Sequence, residues 1–250
     1  MANREHEEAL GLQLVRRAYL YGVFHLAFGG EPTDEGLRSL FGERTREALA
    51  YVCSLLKQPE LQEVAERPLG AQGRTLAQWA CEGPEWAQAG ARRLDDPAFL
   101  EELRSDYTKL LQVPGEDYVH PWESPYVGKE SMIFQESTID VRSFYHDAGF
   151  RLAAEKRFPD DHIGAMMDYL ARQAMAAYDA FADGDDAAAA RLLTVQWDFL
   201  QKHVLSWVDD FATAMLQHDA RGYYGTLAAV MAAFARADEA CLGPVIEELG

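Results

Sequence analysis

Cysteine is scarce in this chain: the 250 residues hold three, Cys53, Cys81 and Cys241, far apart and without CxxC spacing. An odd, scattered set gives neither a disulfide framework nor a zinc site, so the expectation is three core or surface thiols in a reducing cytosol. Long apolar runs are missing as well, which excludes a bilayer-spanning segment. No stretch of alternating β-branched residues bounded by turn signals occurs, which argues against a sheet protein. GxGxxG, Walker, HExxH and GxSxG patterns are all absent, serines are few, and the seven histidines are scattered. The residues therefore offer no catalytic set, no complete metal site and no cofactor motif. Positive charge is in short supply too, with 23 basic against 41 acidic side chains and a net charge of −18. The excess is spread over both halves and is no appended tail. Such a field repels nucleic acid and anionic membranes and attracts basic peptides.

What is abundant is helix-forming sequence. Ala, Leu, Glu, Gln and Arg recur in long blocks, and the pattern predicts an all-α protein, a single helical-bundle domain over 1–250 with about ten helices. The amino-terminal half reads as helices near 5–28, 34–41, 43–56, 59–67, 74–89 and 96–112, with Gly70, Gly73, Gly83, Pro84 and Gly90 punctuating the connections. In the 96–112 segment, Asp95 or Asp96 can cap, Pro97 sits in the first turn, and Phe99, Leu103, Tyr107, Leu110 and Leu111 form one stripe. Arg16-Arg17 followed by apolar residues to Phe28 has the look of an export leader, but Glu5, Glu7 and Glu8 stand where a leader is basic and no small-x-small site follows. The segment is expected to be a buried first helix.

From Val113 to about Gln135 the periodicity stops: Pro114-Gly115, Pro121 and Pro125 break helices, and Tyr118, Trp122 and Tyr126 have no helical spacing. Long loops in compact domains are usually functional or disordered, and this one is too aromatic for disorder. It is also the place for a hinge between amino- and carboxy-terminal helical parts. Helical pattern resumes at 137–148, then at 160–182 after Arg157-Phe158-Pro159, with Asp160 placed to cap and Asp161 and His162 at an exposed helix start. Gly184 ends that helix and Asp185 can cap the next, which bends near His203; a last helix over 220–240 is closed by Gly243-Pro244.

Two clusters invite a chemical reading. His146, Asp147, Asp161 and His162 could serve a helical metal protein or enzyme, although neighbours on a helix point about 100° apart and Asp160-Asp161-His162 offers at most two ligands to one ion. Pro121-Trp122-Glu123-Ser124-Pro125-Tyr126 puts an indole and a phenol on a proline-stiffened loop, a surface for an apolar peptide with Glu123 beside it to accept an Arg or Lys. The other reading is that Trp122 and Tyr126 pin the loop to the core.

Several segments share one order: Asp106-Tyr107-x-x-Leu110, Pro121-Trp122-Glu123-Ser124-x-Tyr126, Val141-Arg142-x-Phe144-Tyr145-x-x-x-Gly149-Phe150, Pro159-Asp160-Asp161-His162-Ile163-Gly164, Phe199-Leu200-x-x-His203-x-x-x-Trp207-x-x-x-Phe211 and Gly222-Tyr223-Tyr224. Over roughly residues 100–235 this resembles the redox-enzyme maturation chaperones of the TorD/DmsD type, which include nitrate reductase assembly factors. The resemblance implies a cytoplasmic, non-enzymatic chaperone. It implies binding of the twin-arginine signal peptide and apo-form of a molybdopterin oxidoreductase of dimethyl sulfoxide or trimethylamine oxide reductase type, delay of export until cofactor insertion, and contact with translocase components. It further implies a peptide groove lined by Tyr107, Pro121, Trp122, Glu123, Ser124, Tyr126, Asp161 and His162. A scaffold for a folded partner, without signal-peptide binding, is the remaining alternative. Two departures bear on client identity and guanine-nucleotide binding: Leu111-Gln112-Val113-Pro114-Gly115 reverses the family's glycine and proline, and Met166 replaces an acidic residue, though Asp168 remains.

Overall fold

A computed structural model describes residues 2–128, 136–152 and 159–250. The twelve α-helices among these residues are α1 (Ala2–Phe28), α2 (Asp34–Leu40), α3 (Glu43–Leu55), α4 (Gln62–Ala65), α5 (Leu76–Ala91), α6 (Pro97–Tyr107), α7 (Ser124–Val127), α8 (Glu136–Asp147), α9 (Ile163–Ala182), α10 (Asp186–Phe199), α11 (Val208–His218) and α12 (Tyr223–Leu249). Among the described residues the only sheet is one antiparallel pair, β1 (Pro68–Leu69) with β2 (Arg74–Thr75). The fold is all-α, a helical bundle.

Local chemistry accounts for many of the boundaries. Asp96 caps α6 through Ala98 N–H, with Pro97 in its first turn, and Asp185 caps α10 through Ala188 N–H. Thr75 and Gln78 form a reciprocal capping box at the start of α5. The expected bend near His203 is a π-helical turn, Leu200–Val204, between α10 and α11; a second follows α6 at Thr108–Gln112. Such turns widen the ladder by one residue and recur at functional sites.

Three sequence expectations need correcting. Gly83, Pro84 and Gly90 lie inside α5, and α12 runs through Gly243-Pro244 to Leu249. In both helices buried side chains on either side of the breaker hold the turn, and packing overrides propensity. The helix expected from Asp160 starts at Ile163, with His162 as its cap, so Asp160 does not cap it. The third correction concerns the thiols: Cys53 on α3 and Cys81 on α5 form a disulfide with Cα atoms 4.6 Å apart, only Cys241 is free, and the cysteines therefore give no support for a reducing cytosol. Helical periodicity gave no sign that these two positions face one another.

At the centre lies α12, whose residues from Tyr224 to Ala235, apart from Thr226, are all buried. Its alanines at 228, 229, 232, 233, 235 and 237 let α5, α10 and α11 approach closely. Against this layer, α1 pairs with α9 and α9 with α10. One polar cluster crosses the core. Arg17 Nε and Nη2 donate to the Asp238 carboxylate at 2.5 and 3.0 Å, Nη2 also donates to Gln196 Oε1 at 2.9 Å, and Tyr21 donates to Asp238 at 2.6 Å. Arg17 is thus interior and α1 is a core helix, as its acidic start indicated; Arg16 lies over the Tyr51 ring.

Candidate functional site

The non-helical stretch after α6 returns to the body of the protein as an extended strand of chain. Val119 N–H donates to Leu110 C=O at 2.8 Å, and two residues on, the backbone meets the segment that leads into α9. There Glu123 N–H donates to Asp161 C=O at 3.0 Å and Ile163 N–H donates to Pro121 C=O at 2.8 Å, so that Trp122 and His162 face each other as an antiparallel bridge. Their rings stand edge to face with centroids 5.5 Å apart. Alternate residues of an extended chain share a face, which puts Tyr118, His120 and Trp122 in one row; successive ring centroids are 5.0 and 6.5 Å apart. His120 is exposed, and Tyr118, Trp122 and His162 are part-exposed.

Behind this row the acidic residues are sealed. Asp161, expected at an exposed helix start, is fully buried. Its Oδ2 accepts from Ser124 N–H at 2.8 Å and Ser124 Oγ–H at 2.6 Å, closing the first turn of α7. Its Oδ1, like the buried Nε1 of Trp122, has no hydrogen-bond partner among the described residues. Asp160 is buried too: it accepts from Arg142 Nε at 2.6 Å, while its carbonyl accepts from Tyr145 at 3.1 Å, so α8 is tied to the start of α9. Glu123, expected to receive an incoming cation, is 2% exposed and already engaged, 3.1 Å from His203 Nδ1. Burial pushes its carboxyl above the ordinary glutamate range, against the pull of His203. The other nitrogen of His203 lies 3.1 Å from Asp140 of α8, whose side chain is largely exposed.

The remaining expected residues divide between surface and frame. Tyr126 is part-exposed, stacks on Trp207 at 5.2 Å and donates to His120 C=O at 3.0 Å, so it also pins the loop, as the alternative reading held. Pro121 and Ser124 are buried. Tyr107 sits deeper, its ring 5.9 Å from Tyr224, and burial raises its phenol to about 12. His162 accepts Gly164 N–H on Nδ1 at 3.0 Å, and burial together with His25 lowers its imidazole to about 4. Gly164 is required here: a Cβ would stand 2.4 Å from the Gly29 Cα, at the end of α1.

Residues not singled out for the site complete it: His120, His203, Asp140 and Arg142. The 118-120-122 spacing was a signal of period two that a search for helical spacing passes over. Among the described residues no group of three His, Cys, Asp or Glu is placed to hold a metal ion, and no helix is long and apolar enough to cross a membrane.

The family profile described as "Nitrate reductase delta subunit" matches residues 65–213, more than half of the chain and the whole of this site. The chain belongs to that family. Among curated relatives, it is 28% identical over 147 residues to "Chaperone protein TorD" of Vibrio cholerae, covering 59% of this chain and 65% of that one. It is 24% identical over 227 residues to the TorD chaperone of Photobacterium profundum, covering 91% and 94%. A "Probable Tat proofreading chaperone DmsD" of Haemophilus influenzae is 28% identical over 135 residues, covering 54% and 59%. The chain thus spans just under two thirds of the Vibrio cholerae relative's length.

Proposed function

We propose that this protein is a cytoplasmic chaperone for a molybdopterin oxidoreductase of the dimethyl sulfoxide or trimethylamine oxide reductase type. It binds the twin-arginine signal peptide and apo-enzyme, delays export until cofactor insertion, and catalyses no reaction itself. The observation that carries this reading is the Trp122–His162 bridge, which unites the two motifs on one part-exposed aromatic surface. Membership of a family that includes named TorD and Tat proofreading chaperones supports it.

In this reading the expected site residues take two roles. Trp122, Tyr126 and His162 contact the apolar part of the leader, and Tyr107, Pro121, Glu123, Ser124 and Asp161 hold those three in place. With Glu123 engaged by His203, the leader's arginines go to exposed carboxylates around the row, Asp140 beside His203 and Asp210 near Tyr126. Net charge of −18 gathers a basic segment from a distance, and burial of apolar side chains retains it.

Calorimetry and stopped-flow binding with a synthetic twin-arginine signal peptide test the proposal. Trp122→Ala is expected to weaken binding at least tenfold, mainly through faster dissociation. The Asp140→Asn/Asp210→Asn pair is expected to weaken it a few-fold and flatten its salt dependence. Unchanged affinity in both variants overturns the reading, and equal capture of a client lacking its leader supports the scaffold alternative instead.

A further inference from the structure

A second surface, remote from the aromatic row, is built along α1. This helix is apolar on both faces. Leu14, Tyr21, Phe24 and Phe28 fill the core, while Leu12, Val15, Tyr19, Gly22 and Leu26 run along the outer side, spaced 3, 4, 3 and 4 residues apart. That is the seam of a helix that packs against another helix over about 20 Å. The covering helix is not α9, which pairs with the neighbouring face of α1: a Cβ on Gly11 would meet Phe181 and Tyr178, and His25 Nδ1 lies 2.8 Å from Gly164 C=O.

A cleft of about 330 Å³ follows the seam, with α1 as its floor, Ala171, Arg172 and Met175 of α9 as one wall, and Ser39 and Arg44 at the α2–α3 side as the other. Leu26 and Met175, 36% and 40% exposed, line this furrow, and Leu12, 46% exposed, continues the seam one turn beyond it. In its middle Gly22 leaves a notch, since nothing lies within 4 Å of a Cβ placed there.

The polar groups at the rim have the sign opposite to the protein as a whole. Arg44 is exposed and lies over the Tyr19 ring at 4.4 Å, and among the described residues it makes no ion pair. Arg172, opposite, is 66% exposed in its side chain, with Asp168 one turn away at 3.0 Å. In a chain of net charge −18, a cleft whose lining holds two arginines and no carboxylate favours an acidic partner.

We propose that this cleft docks one amphipathic helix of a partner protein, its apolar stripe along the Leu12–Leu26 seam, a large side chain in the Gly22 notch, and carboxylates on its flanks against Arg44 and Arg172. The proposal does not rest on the signal-peptide reading, because a basic leader has the wrong charge for this rim. The centre of the cleft lies about 15 Å along α9 from His162, so leader and partner helix can be held together.

The test uses the full-length chain and two fluorescein-labelled synthetic peptides of eighteen residues, each with leucines at 3-4 spacing. One carries glutamates on its flanks and the other lysines, and binding is read by fluorescence anisotropy. The glutamate peptide is expected to bind at least tenfold more tightly than the lysine peptide. Gly22→Trp, which fills the notch from open space, should cost the glutamate peptide at least tenfold and leave the circular dichroism, Tm and signal-peptide affinity unchanged. Gly22→Ala serves as the folded control, and Arg44→Glu/Arg172→Glu should reverse the peptide preference. Equal binding of both peptides, or insensitivity to Gly22→Trp in a folded protein, overturns the proposal. So does sedimentation showing that the wild-type chain self-associates and Gly22→Trp does not, which would make a second copy the occupant.

Discussion

Glu123 Oε2 and His203 Nδ1 lie 3.1 Å apart although 80 residues separate them, and both side chains are buried. The pair ties the loop that carries Trp122 to the π-helical turn between α10 and α11, and through Asp140 to α8. Phe144 and Phe199 pack their rings on the imidazole at 5.4 and 5.3 Å, keeping water out.

Removing one member leaves the other buried without its partner, which costs more than the pair itself contributes. Glu123→Ala is expected to lower stability by about 2–4 kcal/mol in urea denaturation, and Glu123→Gln by less, since an amide oxygen still faces His203. No loss in either variant would show that the contact with His203 contributes nothing.

A pH dependence follows from His162. Its imidazole sits at about 4 when folded, against an ordinary value of 6.5, and its Nδ1 must stay unprotonated to accept from Gly164. A group lowered in the folded state contributes fully above its unfolded value and loses that contribution as pH falls towards the folded one. Stability should therefore fall between about pH 6.5 and 4, by up to about 3 kcal/mol from this residue. His162→Asn, which can cap without titrating, should have a shallower decline over the same window; parallel curves for the two proteins count against the assignment.

The Arg17–Asp238 pair supplies a third test. Asp238→Ala strands a buried guanidinium and is expected to cost about 3–5 kcal/mol, whereas replacing both partners, Arg17→Met with Asp238→Leu, should recover most of the loss. Thermal and urea unfolding of the two variants and the wild type measure this. A double variant as unstable as the single one would mean that the cluster stabilises as a unit with Gln196 and Tyr21.

The disulfide is checked by alkylation and intact mass. Unreduced protein should take one label, at Cys241, and reduced protein three. Cys53→Ser/Cys81→Ser should lower the stability of the unreduced protein by about 3 kcal/mol and leave the reduced protein almost unchanged.

The helices were legible because each buries a stripe of side chains at its own period. The run from Phe99 to Leu111 could be read without neighbours, and so could the caps at Asp96 and Asp185. The site was legible in part. Residues 122 and 162 were placed together only through the family resemblance, and nothing in local pattern tells that Asp161 turns inward to hold Ser124, or that Glu123 is taken by His203. Those contacts span 37 and 80 residues and depend on how α7, α9 and the π turn pack. The Cys53–Cys81 bond was illegible for the same reason: helical spacing fixes which face a cysteine occupies, and only the pairing of α3 with α5 decides what it meets.

Because α12 fills the middle of the bundle, its order of synthesis matters. The helices packed on it, α5, α10 and α11, are all translated earlier, so on the ribosome their apolar faces await a partner that emerges after them. At roughly 5–20 residues per second that interval is a matter of seconds. A protein built this way is, during its own birth, a nascent chain with exposed grease.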